Sequence, residues 1–459
     1  MTRSWASFGM ALMAGLALAA IAGTSSSADP SPAALACRAV GLSHCPVPFD
    51  PVLPAAEDML NWNQDSRVIG FRNGYRLYPG DVFHTLGGTP YPLPPARRPM
   101  PPVRYEMDRH SYSLDEYLHR QSVTGLLVLK QDQIVYEYYA RGNGDETLWT
   151  SRSVAKSVVS ILIGMAIKEG LIGSVNDPIT RYLPELKGTA WDGVTLRNLL
   201  QHSSGVAWNE NYADASSDFA RLTRCEAGPA AYPCVLKLVS SLQRVPGVRP
   251  GELWSYNTGG AWLVGRVLEQ ATGMTIAHYL ETRLWSRFAM QSDGVWQALV
   301  AGHVDMGGHG FNATLRDWGR FALFVEKGGK LANGDALLPP DWIAQSVTWS
   351  KAKGSVTPAT PDGQYGYQWW FGGVDPSRGG TEDAMRTAQQ TFWAEGIYGQ
   401  AIAIDPADQL LMVQWSTWKN AETPASLYDE QVLFFHAVAH ALRAPRSKAE
   451  QVTIERNQQ

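Results

Sequence analysis

The stretch Thr150-Ser151-Arg152-Ser153-Val154-Ala155-Lys156-Ser157-Val158-Val159 decides how this chain is read. Ser153 and Lys156 stand three residues apart where an apolar run begins. The run continues through Ile161, Leu162, Ile163, Met165 and Ile167 to Gly170. A run of that length predicts a helix, and Gly170 is suited to end it. Residues i and i+3 of a helix share one face, which puts Lys156 within reach of the Ser153 hydroxyl. A serine beside a lysine is a nucleophile beside its base, provided the amine is neutral or shares its proton. Ser-x-x-Lys alone is a weak signal. Ser350 with Lys353 and Ser416 with Lys419 repeat it, but neither pair heads a long apolar helix.

The 459 residues suit one large domain with an extension. A hydrophobic content of 45% with 18% charge is that of a globular protein. A net charge of -4 gives no basic excess for a nucleic-acid partner. Most of the seventeen tryptophans read as core and surface aromatics, with some available to wall a cleft. Arg3, the apolar run Phe8 to Ile21 and the small residues Ser26-Ser27-Ala28 predict a signal peptide over 1–28. An uncleaved anchor and a lipoprotein site at Cys37 fit less well. The mature chain is therefore expected in the periplasm or secreted. No other stretch reaches the roughly 18 apolar residues of a membrane span. An even count of four cysteines in an exported chain points to disulfides, and proximity favours Cys37–Cys45 with Cys225–Cys234. No metal site is expected, because no C-x-x-C occurs. His436 and His440 also lack the following Glu of a helical metal motif. Gly307-Gly308-His309-Gly310 lacks dinucleotide-fingerprint spacing, so no cofactor is expected.

Residues 29–119 form an extension rich in proline, including Pro92, Pro94, Pro95, Pro99, Pro101 and Pro102. Within it, Val68-Ile69-Gly70-Phe71-Arg72 is too apolar for a free linker and predicts packing on the domain that follows. That domain spans 120–445, and a polar tail covers 446–459. A hairpin is predicted over Gly125 to Tyr139 with its turn at Gln131-Asp132. Thr195 is a plausible N-cap for the helix that follows it. Trp208 to Asp218 reads as a loop, and Ala261–Ala271 and Thr314–Glu326 read as helices. Thr391–Ile404 and Leu410–Trp415 read as two strands, followed by a helix over Ser426–Leu442. Strands at both ends with helices between them predict one mixed α/β (α+β) domain.

In combination, these motifs resemble the serine beta-lactamase and penicillin-binding-protein superfamily. They look closest to the class C-like branch of esterases and 6-aminohexanoate-dimer (nylon oligomer) hydrolases. The matching pieces are Ser153-x-x-Lys156, the run Thr195 to Gly205, Trp254-Ser255-Tyr256-Asn257-Thr258-Gly259, Thr314-Leu315-Arg316-Asp317, and Tyr365-Gly366-Tyr367-x-Trp369-Trp370. The resemblance implies a beta-lactamase-like fold: an antiparallel sheet from both termini, flanked by helices, plus an all-helical subdomain.

It also implies Ser153, Lys156 and Tyr256 as catalytic residues, with Thr258 third in the Tyr-x-Asn position. A phenol beside an ammonium is expected to ionise more easily than usual. The third family motif, Lys-Thr-Gly or His-x-Gly, finds its best match at Ala394-Glu395-Gly396, without the cation or imidazole. Ala394 and Gly396 are its expected substrate-binding positions. The backbone N–H groups of Ser153 and Ile397 would form the oxyanion hole. Tyr212 would bind the substrate amide or leaving group. The missing cation favours a small ester or amide over a beta-lactam. Alternatives are a D-amino-acid peptidase or beta-lactamase, a penicillin-binding sensor that acylates without turnover, and a non-catalytic scaffold. Ser292-Asp293-Gly294 resembles the family's Ser-Asp-Asn but lies at the wrong point in the chain. Oligomeric state is left open.

Overall fold

The computed structural model of the chain describes residues 37, 40–357, 362–373, 391–422, 424 and 426–443. The expected signal peptide and the polar tail lie outside the described residues.

Strands β1 (Gly80–Phe83), β2 (Arg104–Met107) and β3 (His110–Ser113) belong to the proline-rich extension. The predicted hairpin is β4 (Val123–Lys130) and β5 (Gln133–Tyr139). Its turn residues Gln131 and Asp132 take φ of 52° and 63°, the left-handed pair that matches strand twist. Short strand β6 (Trp149–Thr150) leads into the Val154–Lys168 helix. That helix is buried on nearly every side, as its uninterrupted apolar run requires. Gly170 follows it at φ 75°.

A central group of helices then leads to β7 (Gly294–Val300), β8 (Val304–Asp305) and β9 (Phe311–Ala313). Thr195 caps its helix with the reciprocal Asn198 bond of a capping box. The chain ends in β10 (Trp370–Phe371), β11 (Phe392–Gly396), β12 (Gln400–Asp405), β13 (Leu410–Ser416) and the Ser426–Arg443 helix.

The main sheet runs β10-β11-β12-β13-β4-β5 and is antiparallel throughout. Within it β13 pairs with β4, so the two ends of the domain meet there as expected. One face packs on the Val154–Lys168 and Leu315–Glu326 helices. The other carries the Ser426–Arg443 helix with Tyr105 and Met107 of the extension.

Two features differ from the sequence expectation. The run Thr391–Ile404 is two strands, because Tyr398 (φ 65°) and Gly399 (φ 85°) reverse the chain within it. A second sheet, β1-β7-β9-β6 with β8 on β7, also stands beside the helices. Its strands are short and far apart in sequence, so no local periodicity marked them. Both expected disulfides are present, Cys37–Cys45 and Cys225–Cys234, with Cα separations of 5.5 and 5.3 Å.

Candidate active site

Ser153 sits at the N-cap position of the Val154–Lys168 helix. Lys156 is one turn on and only 2% exposed. Its Nζ donates to Ser153 Oγ at 2.8 Å, to the Gly308 carbonyl at 2.8 Å and to Thr258 Oγ1 at 3.2 Å. Burial pulls the amine from 10.5 down to about 8, against the opposing pull of Glu210 and Glu226. A drop of that size is worth about 3 kcal/mol against the charged form.

Asn257 caps the Thr258–Thr272 helix by accepting from Gly260 N at 2.7 Å. Tyr256 and Thr258 flank the cap, and both face Lys156. The Tyr256 hydroxyl is hydrogen-bonded to Ser153. Its ring face lies 5.1 Å from Lys156 Nζ, stacks on Trp370 at 5.5 Å and meets His202 at 4.4 Å. His202 Nδ1 accepts from the Asn257 backbone N–H at 3.3 Å. Burial, with Lys156 beside it, pushes that imidazole well below its usual range and keeps it neutral.

The expected readily ionised phenol is not found. Burial, with Glu210 adding to it, pushes Tyr256 well above 10. Only the Ser153 hydrogen bond pulls the other way, and burial outweighs it. The arrangement therefore has a neutral phenol and an amine that can accept a proton.

Sequence reading missed Glu210. Thr258 donates to it twice, from Oγ1 to Oε1 at 2.6 Å and from its backbone N–H to Oε2 at 3.0 Å. Trp208 Nε1 donates to the same carboxylate. The Tyr212 hydroxyl does so at 3.0 Å, so Tyr212 is tied into this network. Burial raises the Glu210 pKa against the charge of Lys156 and the Thr258 bonds. The available signal was a lone acid between the two aromatics of the 208–218 loop.

Strand β11 runs beside the loop that carries Ser153. A side chain at Gly396 would meet Ser151 O at 2.7 Å and Ser153 N at 3.0 Å, so only glycine allows this approach. Ile397 follows, 6% exposed. Ala394 is fully buried, because strand alternation turns it into the core, and it offers a ligand no surface. Glu395, on the opposite side of the strand, is pushed up to about 8 by burial and by Asp429.

A cavity of about 610 Å³ adjoins this centre, sharing Tyr212 with it and bounded by Tyr398 and by Glu57 and Asp58 of the extension. Among the described residues, no group of three or more His, Cys, Asp or Glu side chains is placed to hold a metal. No described helix is long and apolar enough to cross a membrane.

Residues 114–434 match the family model described as Beta-lactamase. The chain belongs to the Beta-lactamase family. Within this family it is 28% identical over 323 residues to the 6-aminohexanoate-dimer hydrolase of Paenarthrobacter ureafaciens, covering 67% of this chain and 75% of that protein. It is 25% identical over 182 residues to a beta-lactamase of Escherichia coli K12, covering 37% and 42%. A Bacillus anthracis structure, proposed as a 6-aminohexanoate-dimer hydrolase, superposes with a TM-score of 0.69 at 19% identity, covering 86% of this chain and all of that one. The Beta-lactamase fold and a place in the serine hydrolase superfamily follow from these matches.

Proposed function

We propose that this protein is an exported serine hydrolase that cleaves a small ester or amide through an acyl-enzyme on Ser153. The observation that carries the reading is the 2.8 Å contact between Ser153 Oγ and an almost fully buried Lys156 Nζ. With a pKa near 8, roughly one amine in ten is neutral at pH 7, enough for a general base.

In the first half-reaction, Lys156 takes the Ser153 proton while Oγ attacks the carbonyl carbon. The backbone N–H groups of Ser153 and Ile397 hold the resulting oxyanion. The neutral Tyr256 hydroxyl passes a proton to the leaving group and regains one from Lys156. Water then attacks the acyl carbonyl, with the same pair handling its proton. Tyr212, held by Glu210, faces the leaving group. Glu395 adjoins the strand position where the superfamily motif carries a cation or imidazole. It gives a substrate carboxylate nothing to pair with, which favours esters and amides over beta-lactams. The two disulfides support export.

The test is intact mass over time after mixing with a p-nitrophenyl ester and, separately, with a penicillin. A transient ester adduct with turnover, absent in Ser153→Ala, is expected. A long-lived penicillin adduct without turnover would replace this reading with a penicillin-binding sensor. Equal behaviour of wild type and Ser153→Ala would remove Ser153 as the nucleophile.

A further inference from the structure

Two residues that flank the Ser153 and Ile397 positions adopt a backbone conformation that side-chain-bearing residues avoid. Arg152, immediately before Ser153, has φ 48°, and Tyr398, immediately after Ile397, has φ 65°. Such residues persist where their surroundings over-determine them. Here the two share one support. The Arg152 guanidinium lies over the Phe71 ring at 4.6 Å, and the Tyr398 ring meets the same ring at 5.5 Å. Phe71 is fully buried, and its edge packs on Trp149 at 5.7 Å. It lies on the Gln64–Arg72 helix, outside the 114–434 family match. The same segment grips Tyr398 twice more. Arg67 lies over its ring at 5.4 Å, and its hydroxyl donates to the Met59 and Leu60 carbonyls at 3.4 Å.

We infer that Phe71 is a positioning residue that holds the Ser153 and Ile397 N–H groups in register with each other. This rests on the proposed roles of those two groups as oxyanion donors. The peptide after Arg152 carries the Ser153 N–H. Tyr398 anchors the Ile397 residue from its other side. A ring wedged against both neighbours fixes the spacing of two donors that the chain places 244 residues apart by number (397 less 153). Oxyanion donors must sit within a few tenths of an ångström to be effective. The proline-rich extension thus serves the reaction from behind the nucleophile loop.

The experiment compares wild type, Phe71→Leu, Trp62→Leu and Ser153→Ala with p-nitrophenyl butyrate across pH 5–9, with thermal unfolding of each. Trp62 packs against Phe71 at 6.1 Å and serves as the control for loosened packing. Phe71→Leu is expected to lower the plateau kcat about 10-fold or more. KM should stay within about twofold, and the acid limb set by Lys156 should not move. Trp62→Leu should lose thermal stability without that fall. A folded Phe71→Leu with kcat within twofold of wild type overturns the inference, as does an equal kcat loss in both variants. If Phe71→Leu does not fold, Phe71→Met, which fills more of the space without a ring, is judged by the same criteria. Activity surviving in Ser153→Ala would overturn the hydrolase reading and the inference together. Activity lost there but intact in Phe71→Leu overturns the inference alone.

Discussion

Thr258 Oγ1 donates to Glu210 Oε1 at 2.6 Å while accepting from Lys156 Nζ at 3.2 Å. One hydroxyl thus couples a half-buried carboxylate to a buried amine without direct contact between them. The carboxylate favours the charged amine, and burial opposes it. Glu210→Gln removes the favourable charge, so the Lys156 pKa falls further below about 8. The acid limb of kcat/KM should therefore move to lower pH, with a plateau loss of several-fold as the Thr258 link weakens. A pH–rate profile of the variant checks this. A limb that moved to higher pH would sink the idea.

Gly396→Ala places a methyl group against the Ser151 carbonyl and the Ser153 backbone nitrogen. Both obstacles are backbone, so β11 or the loop carrying Ser153 must shift. We expect a stability loss of about 1–3 kcal/mol and a kcat loss of about 10²-fold. Denaturant unfolding and steady-state kinetics measure the two. A variant with wild-type kcat would show that β11 does not abut the reacting centre.

The Glu395 carboxyl has its pKa raised to about 8 in the folded protein. The folded state holds the proton over a range where the unfolded chain, near the ordinary 4.5, has released it. Stability attributable to this group is therefore lost as pH rises from about 4.5 to about 8. The carboxyl is partly exposed, so water reduces the effect to something on the order of 1–2 kcal/mol. Glu395→Gln should unfold at a higher temperature than wild type at pH 9, with the gap shrinking toward pH 5. A gap that grew on acidification would refute the assignment.

The Cys225–Cys234 disulfide closes a nine-residue separation between neighbouring helices. A loop of that size restrains the unfolded chain by about 2.5–3 kcal/mol. Replacing both cysteines by serine should lower the melting temperature by a few degrees. Reductant, which also opens Cys37–Cys45, should lower wild type at least as far and the double variant by less.

The sequence alone determined the parts set by neighbours in the chain. Ser153 and Lys156 meet because three residues are one helical turn. The β4–β5 hairpin closes at Gln131-Asp132, Thr195 caps its helix, and each disulfide joins cysteines eight or nine residues apart. Tyr256 and Thr258 could be named as candidates because their motif is contiguous. Only the tertiary structure decided the rest. Glu210 reaches Thr258 across 48 residues. Phe71 touches Arg152 and Tyr398 from a segment that reads as extension. The second sheet assembles from strands as short as two residues. The sign of the Tyr256 shift also belongs to the fold. A sequence shows which charges are present, but desolvation depends on what packs around them, and here it is the largest cause of the shift.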